Sequence, residues 1–421
     1  KAKKLFSKFN LNFLEKIKMN AQGSLLHKFT LVIDKNFKLI DYEYKTSGNI
    51  LKSKIILKDQ FRTSFIERPI NKISIFKTNL EINLNKKKQN FLMFNGLYNL
   101  GGLENKKFKV FYDLNLKNPK YSLDFNLPEN FFLEAINYTS NLKNKGNIKS
   151  EFKIINDNII FKNINFTEGK NSISINGLKL NKKREIELIS DVSVLTFNNN
   201  KENNNFKINF KEKIYITGKK YDTTYLLKQL LSDSKQNLLK NFTKDIEINL
   251  NSLITKSQDS LNNFYLIGSI NKGKFEKLSA KSEFSKNEYL DISLKKNENN
   301  KKILEIYSDL PEVLLADYKF FEGIKGGKLL YNSVKDERGS VSKISINAEI
   351  PKEIEVNPNI SELNKNLAYG IFEPAENNLS LDMWANSEGT RIKDTIERIN
   401  KIKLSSFAEE IFINTLFTIA K

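Results

Sequence analysis

Hydrophobic and polar residues alternate one by one over many short stretches of this chain. Clear examples are Leu80–Leu84 (LEINL), Phe206–Phe210 (FKINF) and Ile246–Leu250 (IEINL), and residues 214–216 and 341–350 follow the same order. One set of positions is mostly aliphatic or Phe, and the other is mostly Lys, Asn, Glu or Ser. Side chains of a strand point alternately to its two faces, so this pattern predicts strands with one buried face along most of the chain.

Short polar breaks separate these stretches. Asn-Gly pairs occur at Asn95-Gly96 and Asn176-Gly177, and Asn-rich tracts occupy residues 198–205 and 297–300. Such breaks are typical of turns between consecutive antiparallel strands. A β-rich chain of 421 residues must also protect its sheet edges, by closing into a barrel, stacking as a solenoid or curling into an open groove.

Helical patterns are few. Residues 221–239 carry apolar side chains at helical spacing after Asp222, a residue type that caps helices. Shorter helices are predicted at 128–138 and 310–320, where Pro lies near the first turn. Residues 390–421 have the spacing of an amphipathic helix. The sequence therefore predicts a mainly β fold with a few short helices.

The composition limits the chemistry of the chain. It has no Cys, which excludes disulfides, thiolate nucleophiles and Cys-ligated zinc. The formal net charge of +20 favours anionic partners, although joint enrichment in Lys, Asn, Ile and Phe is also what an AT-rich genome produces. The basic residues are spread along the chain, and the densest patches, Lys86–Lys88 and Lys182–Arg184, lack aromatic neighbours. We therefore do not expect nucleic-acid binding.

No catalytic motif is recognisable. The chain has one histidine, His27, which cannot by itself supply a metal site or a catalytic triad. Residues 323–328 (GIKGGK) have neither the spacing of a phosphate-binding loop nor the hydroxyl residue that should follow its Lys. We therefore predict a protein that is not an enzyme and that needs no metal or cofactor.

Residues 303–331 (ILEIYSDLPEVLLADYKFFEGIKGGKLLY) resemble the AsmA-like superfamily, and within it the YhdP/TamB-type envelope proteins of Gram-negative bacteria. In that pattern a strand ends in a Ser/Asp pair, a short helix follows, and a Gly-Gly turn opens the next strand. Residues 214–230 resemble a second phrase of the family. The matching residues of the first phrase are Ser308, Asp309, Leu314, Leu315, Phe320, Ile324, Gly326, Gly327 and Leu329.

The resemblance implies an elongated, twisted antiparallel β-sheet curled into a groove. It also implies transport of phospholipids through the periplasm between the inner and outer membranes, with an inner-membrane anchor at the N-terminus. The chain starts at Lys1 without such a segment, so we expect the anchor to lie outside it. The expected organisation is a repetitive groove body at 1–300 with a helical insertion at 221–239. An AsmA-like β region at 301–389 and a helix at 390–421 follow.

A groove of this kind would hold acyl chains against its apolar face without a catalytic residue, because burial of CH₂ groups is not directional. Alternation alone does not distinguish a groove from a closed sandwich core. An outer-membrane β-barrel and a secreted or surface β-solenoid are alternatives. The residues predicted to line the groove are Phe206, Ile208, Phe210, Ile214, Ile216, Ile246, Ile248 and Leu250.

Overall fold

We describe the fold from a computed structural model of the chain. The described residues are 17–63, 66–86, 90–101, 104–114, 119–127, 131–141, 145–224, 243–255, 260–271, 274–285, 287–299, 301–311, 325–336, 339–349, 372–375 and 378–386. They are almost entirely strands, so the prediction of a mainly β fold is confirmed. The chain forms two compact units. Unit 1 comprises residues 1–133 and 139–192, and unit 2 comprises residues 134–138 and 193–421.

Most strands of unit 1 belong to one antiparallel sheet in which each of the first six strands pairs with its neighbour in the sequence. The sixth strand then pairs with the ninth, and the ninth with the tenth. The strands are β1 (Ile17–Ile33), β2 (Leu39–Thr63), β3 (Ile66–Asn85), β4 (Phe91–Leu100), β5 (Lys106–Asp113), β6 (Lys120–Asn126), β7 (Phe132–Leu133), β8 (Tyr138–Thr139, which begins in unit 2), β9 (Asn147–Ile155), β10 (Asn158–Glu168), β11 (Asn171–Asn176), β12 (Lys179–Leu180) and β13 (Ile186–Leu188).

The strands of unit 2 also pair mainly with their neighbours in the sequence and antiparallel, with two exceptions. The last strand, Asn378–Asn386, lies between the strands Gly339–Glu349 and Phe372–Ala375. The second exception is a parallel pair. β16 and β17 are parallel, with Ile214 opposite Ile246. A parallel step needs a long connection, and residues 223–243 supply it. The strands are β14 (Asp191–Asn198, which begins in unit 1), β15 (Lys201–Phe210), β16 (Ile214–Asp222), β17 (Lys244–Ile254), β18 (Ser260–Asn271), β19 (Lys274–Ser285), β20 (Glu288–Lys296), β21 (Lys302–Ser308), β22 (Lys325–Asp336), β23 (Gly339–Glu349), β24 (Phe372–Ala375) and β25 (Asn378–Asn386).

The turn predictions at 176–177 and, over its described residues, 297–300 are confirmed, the tract 198–205 forms a turn only at 199–200 because 201–205 belong to β15, and the prediction at Asn95-Gly96 is wrong. Asn176 ends β11 and Gly177 follows with a φ of 62°, and Asn199 and Asn200 both have positive φ between β14 and β15, as a tight hairpin turn requires. Asn95-Gly96, however, lies in the middle of β4. A Cβ on Gly96 would lie 2.1 Å from the Oγ1 atom of Thr78, so the glycine permits close strand approach and does not form a turn.

The described residues cover only parts of the four predicted helices. Residues 221–222 belong to β16, and the rest of the predicted 221–239 helix lies mainly outside the described residues. At 128–138 the only helical element among the described residues is the 3-10 turn Glu134–Ile136. Most of 310–320 and all of 390–421 lie outside the described residues. The predicted boundary at residue 300 falls between β20 and β21, which pair directly.

Candidate functional site

The eight residues predicted to line a groove lie on three neighbouring strands of unit 2. Direct register pairs join Ile208 to Ile216 and Phe210 to Ile214 across β15 and β16. The parallel step then places Ile248 beside Ile216. Opposite residues of paired strands point to the same side of a sheet, so the structure brings these side chains together on one face.

This face of unit 2 is closed to solvent. Ile216 and Ile248 are 0% exposed, and only Phe210 of the eight is half-buried. The face continues through Leu266 on β18 to Ile292 and Ile306, all buried. Full burial is the property of a packed core. Contact between lipid and these side chains would therefore require the face to open, and their role as groove lining stays a prediction.

The first resemblance phrase is described only at its two ends. Ser308 is fully buried at the end of β21, and its hydroxyl accepts a hydrogen bond from the N–H of Leu310 at 3.2 Å. Asp309 accepts one from the N–H of Tyr289 at 2.8 Å and another from the Tyr307 hydroxyl. The Asp309 carboxylate thus fastens the end of β21 to the start of β20.

At the other end of the phrase, Gly326 and Gly327 have φ of 63° and 82°, values that glycine adopts without strain. Leu329 is buried opposite Ser308. The remaining residues of the phrase, Leu314, Leu315, Phe320 and Ile324, lie outside the described residues.

A second apolar face, in unit 1, remains accessible to solvent. Val110 on β5 lies opposite Phe94 on β4 and Leu123 on β6, and the row reaches Ile164 on β10 by way of Ser150. These four apolar side chains are half-buried, so each keeps part of its surface in contact with solvent. We call this surface the unit 1 apolar face, and define it by the half-buried Leu92, Phe94, Phe108, Val110, Tyr112, Tyr121, Leu123, Phe125, Ile148, Phe152, Phe161 and Ile164, together with the buried Phe166.

A row of stacked rings crosses the unit 1 apolar face. The ring centres of Tyr112 and Tyr121 are 4.2 Å apart, those of Tyr121 and Phe152 are 4.8 Å apart, and those of Phe152 and Phe161 are 5.2 Å apart. Burial, and then the hydrogen bond to Tyr112, raise the pKa of the Tyr121 hydroxyl. The Tyr121 hydroxyl therefore stays neutral at physiological pH, and the row of rings presents an apolar surface.

The opposite face is mostly polar on β5, β6, β9 and β10, whereas β4 carries Phe91, Met93 and Leu97 there. Lys149 pairs with Asp124 at 3.6 Å and Lys162 with Glu151 at 3.2 Å. A shallow concavity of ≈ 420 Å³ lies on this side and is lined by Lys, Asp, Glu, Ser and Asn as well as Phe111 and Leu123. The sheet of unit 1 is thus amphipathic, with one side suited to water and the other to hydrocarbon.

His27 is held as a structural residue of β1. Its Nδ1 atom lies 3.0 Å from the Tyr44 hydroxyl and 2.9 Å from the Thr46 hydroxyl on β2. Among the described residues, no group of three or more His, Cys, Asp or Glu side chains could hold a metal ion. The prediction of a protein without catalytic machinery remains a prediction.

Sequence reasoning missed a buried polar cluster in unit 2. Asp222 is 4% exposed, and its carboxylate accepts hydrogen bonds from the amides of Asn137 at 2.9 Å and Asn203 at 3.4 Å. The Asn204 amide donates to the carbonyl oxygen of Ile136 at 2.6 Å. These bonds fasten the segment Glu134–Tyr138 to strands β15 and β16. The available signals, an Asn-rich tract and an Asp-Thr pair, are equally typical of turns and helix caps.

Within the part of the chain that the structure describes, no helix has the length and apolar character of a membrane span. Comparisons of the chain with models of known protein families, with curated proteins and with solved structures gave no match, so the AsmA-like resemblance stays a prediction.

Proposed function

We propose that this protein is a non-enzymatic lipid-transfer protein that shields phospholipid acyl chains on the unit 1 apolar face. The observation that carries the proposal is that half-buried apolar side chains extend over one face from β4 to β10, with Ser150 as a polar position in the central row, and that the opposite face is mostly polar on β5, β6, β9 and β10. Large accessible apolar surfaces are rare on soluble proteins and mark binding sites for apolar partners.

The dimensions of the face suit one acyl chain. Five strands, β4, β5, β6, β9 and β10, lie side by side, and at the usual strand spacing they span roughly 19 Å. The acyl chains of one bilayer leaflet occupy about 15 Å, half the hydrocarbon core. Each CH₂ removed from water contributes about 0.8 kcal/mol, and a chain covered on one side would gain about half of that.

Apolar burial also suits transfer. No directional bond fixes an acyl chain in one position, so it can shift along the face in small steps without losing one large interaction at a time. The resemblance at residues 303–331 would place this activity in the periplasm of a Gram-negative envelope, with lipid passing between the inner and outer membranes.

The test is to purify the chain without detergent and to identify lipids in an organic extract by mass spectrometry. We expect phospholipid in the wild-type extract and several-fold less in the double variant Val110→Asn, Leu123→Asn. The matched control is Ser122→Asn, which changes the neighbouring position on the polar face of β6 and should leave the lipid content unchanged. A wild-type protein without phospholipid, or equal amounts in all three proteins, would overturn the proposal.

A further inference from the structure

The hairpin that joins β1 to β2 is apolar on both of its faces. Leu31, Val32 and Ile33 are successive residues of β1, so they point alternately to opposite sides, and each is about half exposed. Leu39 and Ile40 are successive residues of β2 and are exposed to a similar degree. A protein partner that packs on one side of the sheet would cover only the side chains of that face and would leave those of the other face exposed. We call residues 31–40 the β1–β2 tip.

Phe37, at the turn of the tip, breaks two local rules. Its side chain is 86% exposed, and its backbone has a φ of 59°, a left-handed conformation that is unfavourable for a bulky residue. Most of the other non-glycine residues with positive φ in the described chain are Asn or Asp, among them Asn199 and Asn200. A strained and solvated aromatic residue at a turn that Asn would satisfy better indicates selection for contact with something apolar.

The backbone of the tip is prepared for a dry environment. The Asp34 carboxylate accepts hydrogen bonds from the N–H groups of Asn36 at 2.9 Å and Lys38 at 2.8 Å. The N–H of Phe37 donates to the Asp34 carbonyl, and the N–H of Asp34 donates to the Lys38 carbonyl, both at 3.0 Å. The backbone N–H groups of Asp34, Asn36, Phe37 and Lys38 therefore all have hydrogen-bond acceptors within the turn. This arrangement lowers the cost of leaving water for a lipid environment.

The charges around the tip favour an anionic surface. The tip, residues 31–40, contains two lysines, Lys35 and Lys38, and one acidic residue, Asp34, and Asp41 lies just behind it, opposite Val32. The Lys86 ammonium also reaches the tip and donates to the Ile40 carbonyl at 2.7 Å. Basic residues beside exposed apolar ones are the combination that binds the head groups and outer acyl region of anionic membranes.

We infer that the β1–β2 tip inserts shallowly into an anionic phospholipid bilayer, with Phe37 as its deepest side chain and Lys35 and Lys38 at the head groups. This inference concerns a different surface from the unit 1 apolar face and does not depend on acyl-chain transfer. It assigns a membrane contact to a part of the protein that the proposed function leaves unused.

The test is co-sedimentation of the full chain with vesicles of phosphatidylcholine mixed with phosphatidylglycerol, compared with vesicles of phosphatidylcholine alone. We expect Phe37→Asn to weaken binding to the anionic vesicles roughly tenfold, since a large apolar contact is lost. Each of Lys35→Gln and Lys38→Gln should weaken it about fivefold and reduce the preference for anionic lipid. The matched control is Leu330→Asn, because Leu330 is 56% exposed in unit 2, and it should bind as the wild type does.

A folding defect can be separated from a binding defect. Asn tolerates the left-handed conformation better than Phe, so Phe37→Asn should melt at the same temperature as the wild type or higher. The Val110→Asn, Leu123→Asn protein should lose co-purified lipid but still bind vesicles, which distinguishes this inference from the proposed function. Equal vesicle binding by the wild type and Phe37→Asn would overturn it. The inference would also be overturned if the wild-type protein did not bind vesicles but self-associated, and if Phe37→Asn abolished that self-association.

Discussion

Replacing Ile248 by Ala tests whether the apolar face of unit 2 is a packed core. Ile248 lies in register with Ile216 on β16 and Leu266 on β18, and all three side chains are 0% exposed. The substitution removes three carbon atoms, which contribute about 2.4 kcal/mol at about 0.8 kcal/mol each. The cavity left among rigid neighbours adds to this, so we expect unfolding to become easier by about 3–4 kcal/mol.

Urea denaturation followed by tryptophan fluorescence reports on the unfolding of unit 2, where Ile248 lies. The chain has a single tryptophan, Trp384, which lies in β25 of unit 2. A change in the midpoint without a change in slope would report lost stability alone. The matched control is Leu330→Ala, which also removes three carbons but from a side chain that is 56% exposed, and we expect it to cost below about 1 kcal/mol.

Equal and small effects of the two substitutions would refute the reasoning. They would mean that Ile248 gains little from its neighbours, as a side chain lining an open groove would. A fall in co-purified lipid in Ile248→Ala, without loss of stability, would also refute the packed core. It would support the lipid groove that the alternation predicts for these residues.

Three further outcomes follow from local contacts. Gly96→Ala should destabilise the sheet by about 1–3 kcal/mol, measured by thermal unfolding, because its Cβ would lie 2.1 Å from Thr78 Oγ1 and 2.7 Å from Thr78 Cα. Asp222→Ala should cost about 3 kcal/mol in urea denaturation, since the amides of Asn137 and Asn203 lose their buried acceptor. Burial, and then the charge of Asp222, raise the pKa of Tyr221, so its contribution to stability should hold below pH about 10 and fall as the pH rises further. Tyr221→Phe should reduce this alkaline loss while costing about 1 kcal/mol at neutral pH, since the hydrogen bond to the Ala135 carbonyl disappears.

The strands were predictable because alternation is a local property of the sequence. Phe206–Phe210 and Ile246–Leu250 each read as one apolar face, and each lies within a strand. What the alternation could not predict is the direction in which strands pair. β16 and β17 run parallel, and this depends on the path of the connection between them, which no residue pattern within the strands records.

The sequence pattern also could not predict whether an apolar face is buried or accessible to solvent. Ile248 and Leu123 both occupy apolar positions of alternating strands, yet one is fully buried and the other half-buried. The difference arises from what covers each face, which is a matter of tertiary packing. The turn prediction at Asn95-Gly96 was wrong for a similar reason. An Asn-Gly pair occurs both in tight turns and where two strands approach closely, and only the tertiary structure distinguishes the two cases.

The pairing scheme of unit 1 has a consequence for the order of folding. Each of β2 to β6 pairs with the strand just before it in the chain, so this part of the sheet can grow strand by strand as the polypeptide leaves a ribosome or an export channel. The segment Glu134–Tyr138 cannot join in this way, since its partners on β14, β15 and β16 lie 61 to 86 residues downstream. A nascent chain arrested before Asn198 would therefore keep this segment open to proteases, and the arrival of β15 and β16 would close it.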